Sequence, residues 1–416
     1  MTALFVLINE RMNVIMKFIK ILFCGEKRMK INQLEISGIG GIKQLTLNFN
    51  PRLNVICGAN GIGKTTILTT ISDAFSNNMR IVKRNAECES GKYKIQVETA
   101  NETSDIEIKV EKFAPDESEI SISHMELAKD LLKFNIERNF NYVPLKAISS
   151  DSERRTSDNG VMAAHGVGAS DLKGWFVNRY CFYDKEYSLS EEEKANYLCA
   201  QKMFGILDPS IKFKTVLAKS FDIMLETPKG DIYFEYLSSG YKSCVYIIMG
   251  IMKEIEFRYS QTPIKIADFE GCILIDEIEE HLHPSWQARL VQSLKEIFPK
   301  CQFIITTHSP SILQNLTSDE IIPLYLNEKN ETAIKPLELG RYGLQGWTLE
   351  EILTDVMGMP STTSEVYKQT IDEFDKAMYE EDIPKLTQCY SVLKEMLHPK
   401  SVQRKLLEIQ MAGLEA

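Results

Sequence analysis

Residues 53–57 form a short apolar run that breaks off into Gly58-Ala-Asn-Gly61-Ile-Gly63-Lys64-Thr65, after which Ile67, Leu68 and Ile71 recur at helical spacing. That order reads as strand, glycine-rich turn and helix. Glycines let consecutive backbone N–H groups curl around an anion, and a helix starting near Lys64 aims its positive end at the same point. The spacing Gly58, Gly63, Lys64, Thr65 is the P-loop pattern, in which Lys64 reaches the outer phosphates of a nucleotide and Thr65 ligates Mg2+. Hydrolysis needs further residues, and two later stretches offer them.

Cys272-Ile-Leu-Ile-Asp276-Glu277 and Phe303-Ile-Ile-Thr-Thr307-His308 are apolar runs that end in polar groups, with an amphipathic helix predicted between them over 285–298. Strand, helix and strand in this order predict a parallel crossover in a doubly wound sheet, whose ligand groups gather at the strand ends. Asp276 then stands where a P-loop ATPase places the acid that holds Mg2+. Glu277 can orient and deprotonate an attacking water, and His308 can contact the γ-phosphate. His281 and His283, close to Glu279 and Glu280, raise the question of a transition metal. A bare H-x-H without a third committed ligand is a poor site, and ATP with Mg2+ suffices.

The rest of the chain sets the frame. Its 416 residues, 44% of them hydrophobic, can bury one large core and carry a second lobe. A net charge of −10 means that any nucleic-acid contact must come from a local basic patch. Nine scattered cysteines, with no C-x-x-C pair, read as reduced thiols of a cytoplasmic protein. Residues 1–28 are apolar and Met-rich, but Glu10, Arg11, Lys17 and Lys20 interrupt them, so they predict a poorly ordered extension and no membrane span.

Runs 31–37 and 45–49 alternate around a glycine turn and predict an edge hairpin leading into the P-loop strand. Within an inserted lobe over 76–227, runs 92–98 and 105–113 predict a second hairpin. Residues 147–171 read as a mobile polar loop in which Arg154 and Arg155 are solvated charges, and an aromatic-rich stretch at 172–187 reads as core. A capped helix opens at Ser190. A strand over 231–236 leads into Leu237-Ser238-Ser239-Gly240-Tyr241-Lys242 and an apolar helix over 244–256; a strand or hairpin follows near 321–337. The tail, with amphipathic helices over 363–379, 385–397 and 402–410, is expected to cover the core.

Taken together, these motifs resemble the ABC-type ATPase superfamily, in the branch of SMC, RecF and the OLD-like and Septu-like prokaryotic ATPases. The resemblance is strong over 29–75 and 231–316. It implies an α/β P-loop fold with a mixed sheet flanked by helices, built from an ATPase head (29–75 and 228–346), the inserted lobe and a helical tail (347–416). By this resemblance Gly58 to Thr66 is the Walker A segment, with Asn60, Gly61, Gly63, Lys64, Thr65 and Thr66 on the nucleotide. Asp276 is the Walker B acid, Glu277 the catalytic base, His308 the switch histidine, and 280–284 the D-loop.

Residues 237–242 match the signature motif, with Ser238, Ser239 and Gly240 as its phosphate-facing part. Ser239 stands in place of a glycine and Tyr241 follows Gly240, departures from the usual form. No glutamine marks a Q-loop, and 142–146 takes that region. In such ATPases the signature of one copy closes over ATP on the P-loop of another, which implies a head-to-head homodimer. About 170 residues between Lys64 and Leu237 separate the chain from transporter ATPases, and missing heptads separate it from SMC proteins with long coiled coils. The motifs around His281 and His308 look like those of defence ATPases, and the tail is similar to those of Septu- and retron-associated ATPases. This implies anti-phage defence with a separately encoded nuclease, with DNA a further candidate partner. A stand-alone RecF-like repair ATPase and an ATP-binding scaffold with little turnover are the alternatives.

Overall fold

The computed structural model describes residues 29–77, 80–117, 119 and 124–413; the extension expected over 1–28 lies outside them. Four elements open the described chain: β1 (Lys30–Ile39), β2 (Ile42–Asn48), β3 (Leu53–Gly58) and α1 (Lys64–Asp73). β1 and β2 pair antiparallel, as their alternation predicts, yet they are not an edge of the P-loop sheet. The second predicted hairpin, β4 (Gly91–Glu98) and β5 (Thr103–Val110), comes from the inserted region and adds to the free side of β1. The result is a separate four-stranded antiparallel sheet in the order β2-β1-β4-β5.

A short strand that apolar periodicity does not announce comes next, β6 (Leu131–Phe134), because Lys133 interrupts it. Lys133 is nonetheless buried, its ammonium donating to Ser72 Oγ and the Ala164 carbonyl. Residues 147–171, expected as a loop, contain α2 (Thr156–His165). Its buried face is Asn159, Gly160, Ala163 and Ala164, small residues that carry little hydrophobic signal. The insert continues through α3 (Leu172–Phe182), α4 (Glu191–Leu207) with its Ser190–Glu193 capping box, and a three-stranded antiparallel sheet of β7 (Lys212–Val216), β8 (Ile223–Thr227) and β9 (Gly230–Tyr233).

After β9 a 3-10 turn leads into α5 (Ser239–Arg258), which starts inside the signature-like residues and not after them. Then come β10 (Cys272–Ile275), α6 (Pro284–Ile297), β11 (Gln302–Thr306), β12 (Ile321–Leu326) and β13 (Thr332–Ile334). These build a six-stranded sheet in the order β13-β12-β3-β11-β10-β6, parallel except for β13, with β3 between β11 and β12. This is the mixed sheet of a P-loop α/β fold. Alternate residues Ile56, Leu274, Ile304 and Leu324 join Ile67, Leu68 and Ile71 of α1 and the inner face of the antiparallel sheet in one core. Their neighbours Val55, Ile273, Phe303 and Ile305 are equally buried on the other face, so these strands read as continuous apolar runs.

Beyond Met359 the chain forms a second compact unit, with α7 (Glu365–Tyr379), α8 (Ile383–Met396) and α9 (Val402–Ala412). Phe374, Ala377, Leu386, Cys389, Leu393 and Leu407 close a small core of its own. Its helices therefore bury apolar residues against one another.

Inside α5 lies a fully buried carboxylate, Glu254. Arg154, expected as a solvated charge, is drawn onto it: Nη2 and Nε stand 2.8 and 3.2 Å from its two oxygens. Lys253 and Arg258 add contacts of 3.2 and 3.4 Å. Burial alone would push the carboxyl up, but Lys253, Arg258 and Arg154 pull it down to about 2. The depressed value fixes the sign: the stabilisation is complete above the ordinary glutamate value of 4.5 and is lost as pH falls towards about 2. Glu254→Gln is expected to lower the unfolding free energy at neutral pH by about 3–5 kcal/mol, because it leaves buried cations without their partner. In urea titrations the gap from the unsubstituted protein should narrow below pH 4.5 and close near pH 2.

Candidate active site

The P-loop leaves β3 at the centre of the parallel sheet, and its glycines are set by the neighbouring elements. Gly58 has φ 142°, and a Cβ there would stand 2.4 Å from the Leu324 carbonyl oxygen of β12. Gly63, at φ 105°, is the N-cap of α1. From β13, Thr332 Oγ1 donates to the Ile62 carbonyl at 3.0 Å and holds the loop from the far side. No side chain caps α1 and no acid lies in its first turn, so its first N–H groups are available to an anion. Asn60 and Gly61 are exposed at the tip, and Thr66 is half-buried beneath the Gly40 turn.

Lys64 is buried and folds back along the loop, Nζ lying 2.9 Å from the Gly58 carbonyl and 3.0 Å from that of Ala59. His308 Nδ1 is 3.5 Å away. Burial lowers the pKa of the Lys64 ammonium, and burial followed by the Lys64 charge lowers that of His308. The imidazole is therefore held towards its neutral form.

Three adjacent strand ends meet at Asp276. Its Oδ1 accepts from Thr306 Oγ1 of β11 at 2.6 Å and from Thr65 Oγ1 of α1 at 3.2 Å. Glu277 follows in the left-handed region at φ 44°, with its N–H donating to the same Thr306 hydroxyl at 2.7 Å. Its carboxylate, about one-third exposed, stands 3.9 Å from His308 Nε2. Burial, then the Asp276 and Glu280 charges, push the Glu277 carboxyl up. An alcohol and a carboxylate in contact are hard oxygen donors of the kind Mg2+ takes, and the uncapped helix start beside them suits phosphate. The residues present fit both ligands.

Three further residues organise this site without having been expected to. Thr306 is one; a polar residue ending an apolar strand was the signal for it. Glu279, its carboxyl pushed up by burial, accepts from Thr307 Oγ1 at 2.8 Å and from the His308 N–H, so the turn after β10 holds the turn after β11. Arg138 is fully buried and sends its guanidinium to the carbonyls of Asp276, Glu277 and Ile278. No motif or periodicity marks it. It lies just before the region expected at 142–146.

Ser238, Ser239 and Gly240 lie apart from this cluster. Ser238 is the N-cap of α5, its Oγ accepting from the Tyr241 N–H at 3.3 Å, and both serines are exposed. Among the described residues no hydrogen bond joins 238–240 to the P-loop. A Cβ on Gly240 would stand 2.6 Å from the His281 carbonyl oxygen, so the helix start is packed on the loop after β10. Tyr241 is a core residue: it is buried edge-on to Trp286, with centroids 5.5 Å apart, and donates to the Phe204 carbonyl. His283 is occupied as the N-cap of α6, accepting from the Ser285 N–H at 3.3 Å.

Comparison with known proteins adds kinship to this geometry. An "AAA domain" family model matches residues 33–220 and an "AAA ATPase domain" model matches residues 182–313. Septu protein PtuA of Bacillus thuringiensis is 43% identical over 388 residues, which cover 92% of this chain and 98% of that protein. The Retron Ec83 probable ATPase of Escherichia coli is 24% identical over 237 residues, 57% of this chain and 40% of its own. Among solved structures, the SMC head domain from Thermotoga maritima aligns with a TM-score of 0.40 at 14% identity, covering 74% of this chain and 100% of that one. The chain belongs to the Septu protein PtuA family of AAA-type ATPases.

Proposed function

We propose that the protein hydrolyses ATP with Mg2+ at a site shared between two copies in a head-to-head dimer, and that this cycle gates a separately encoded nuclease in anti-phage defence. The observation that carries the reading is a division of parts. Thr65, Asp276, Lys64, Glu277 and His308 cluster around one end of α1, while Ser238 and Ser239 are exposed at another helix start with no contact to that cluster among the described residues. A serine-rich helix start without an anion of its own suits the phosphates on a second copy.

In this reading Thr65 and Asp276 hold Mg2+, which when bound would neutralise charge on the phosphates. The α1 N–H groups and Lys64 bind the phosphate oxygens, and Lys64 would exchange its loop carbonyls for them. Glu277 accepts the proton of the attacking water, helped by a carboxyl already pushed upwards. Neutral His308 orients on the outer phosphate and is held there through Glu279. The second copy's Ser238 and Ser239 supply further donors and exclude water, so hydrolysis would release the closed dimer. Kinship with Septu protein PtuA supports the defence setting, and no helix among the described residues is long and apolar enough to cross a membrane.

Glu277→Gln is expected to lower turnover by about 100-fold or more while nucleotide binding persists, as read by phosphate release and a fluorescent ATP analogue. A rate equal to that of the unsubstituted protein would remove Glu277 from the role of base. The shared site has a sharper signature. Lys64→Ala and Ser238→Arg should each be inactive alone, whereas a mixture of the two should regain activity, because one copy's intact P-loop meets the other's intact Ser238. A mixture as inactive as its components would rule out a composite site. Expression with the neighbouring genes, followed by purification through this chain, should bring down a nuclease subunit; its absence would favour a stand-alone ATPase.

A further inference from the structure

We propose that Arg138 is a positioning residue for the hydrolytic step, acting through the main chain of Glu277; the proposal rests on the assignment of Glu277 as the base. Among the described residues every hydrogen bond that Arg138 makes goes to a main-chain carbonyl. Nε donates to Asn135 at 2.8 Å, Nη1 to Ile278 at 3.3 Å, and Nη2 to both Asp276 and Glu277. A cation that is 1% exposed and bonded only to carbonyls is a costly way to hold two loops together. What it does achieve is geometric. Three consecutive carbonyls, 276 to 278, converge on one rigid planar group, which fixes the peptide planes on both sides of Glu277.

That fixing matters because Glu277 sits at φ 44°, a region that a non-glycine residue holds only when its surroundings impose it. If the planes relax, the direction in which the carboxylate leaves the backbone changes with them. Arg138 is well anchored for the task. It follows β6, whose Phe134 carbonyl accepts from the Asp276 N–H at 3.0 Å, and two residues later Phe140 stacks on Phe234 with ring centroids 4.6 Å apart. Phe234 begins the turn that leads to Ser238. The guanidinium therefore measures Glu277 against both the parallel sheet and the helix start expected to face a second copy. A lysine keeps the charge but has no fork, and one ammonium cannot reproduce the planar bridging of these carbonyls.

The test uses Arg138→Lys and Arg138→Gln, each alone and combined with Glu277→Gln, in the full chain. Affinity for a fluorescent ATP analogue is measured first, then turnover at saturating ATP. Both single variants are expected to bind the analogue as the unsubstituted protein does and to lose about 100-fold in turnover, with lysine no better than glutamine. In the Glu277→Gln background neither should cause a further loss, because a residue that acts only through Glu277 has nothing left to position. Full turnover in Arg138→Lys would overturn the proposal, and so would losses that multiply with that of Glu277→Gln. Failure of both single variants to bind the analogue would also overturn it, making Arg138 an element of stability. Full turnover in Glu277→Gln alone would instead remove the assignment of the base, a failure visible in that variant before Arg138 is touched.

Discussion

One carboxylate oxygen, Asp276 Oδ1, accepts hydrogen bonds from Thr306 at the end of β11 and from Thr65 at the start of α1. The contact depends on strand order. Because β3, β11 and β10 are neighbours running in the same direction, their carboxyl ends come to one line, and the loop after each opens on the same side. Their register places Ile275 beside Ile305, and Thr306 beside Ile56, so the polar residue that ends each run emerges next to its counterpart. Displacing β10 by one strand would leave the P-loop intact as a turn and remove the acid from it. The site is thus a property of the sheet, and the apolar residues that bury both faces hold it as much as the polar ones that line it.

This explains which parts could be read from the chain alone. The acids after β10 and the histidine after β11 follow uninterrupted apolar runs, and the P-loop follows one broken only by Asn54; such runs have few alternatives as strands. α4 carries its own start signal in Ser190 and Glu193. By contrast β6 is four residues long with a lysine inside it, and only its pairing with β10 makes it a strand. α2 escaped because its packed face is glycine and alanine, whose burial depends on close approach: a Cβ on Gly160 would stand 3.0 Å from Met125 Sδ. The antiparallel sheet was legible as two hairpins and illegible as one sheet, since the β1–β4 pairing joins residues on either side of the P-loop helix. Arg154 and Arg138 were opaque for the same reason. Each is defined by a partner more than 90 residues away, Glu254 for the first and the 276–278 carbonyls for the second.

α5 joins two chemical regimes. Its first turn is exposed and polar at Ser238 and Ser239, whereas its last turns hold Glu254, Glu256 and Arg258 in the interior. Glu254 lies under Arg154, Lys253 and Arg258, and Glu256 accepts from Trp175 Nε1 at 2.7 Å and from Arg179 Nε at 2.8 Å. Arg258 goes on to the carbonyls of Ala128 and Leu131, beside β6. Paired charges of this kind contribute little net stability compared with apolar residues of the same size, but they do not tolerate a shift of register. They tie the last turns of the helix into the interior, while the serine turn is exposed at its other end.

The loop between β10 and α6 is where that helix meets the chemistry. Two of its non-glycine residues, Glu277 and His281, lie in the left-handed region, at φ 44° and 65°. The peptide planes around Glu277 are held from outside the loop by Arg138, and the His281 carbonyl lies so close to Gly240 that position 240 has no room for a side chain. Any side chain at 240 would have to push the loop away, so the glycine there is required by contact with its own chain, whatever it does towards a second copy. A helix start that rests on the loop bearing Glu277 cannot move without altering the support of that loop.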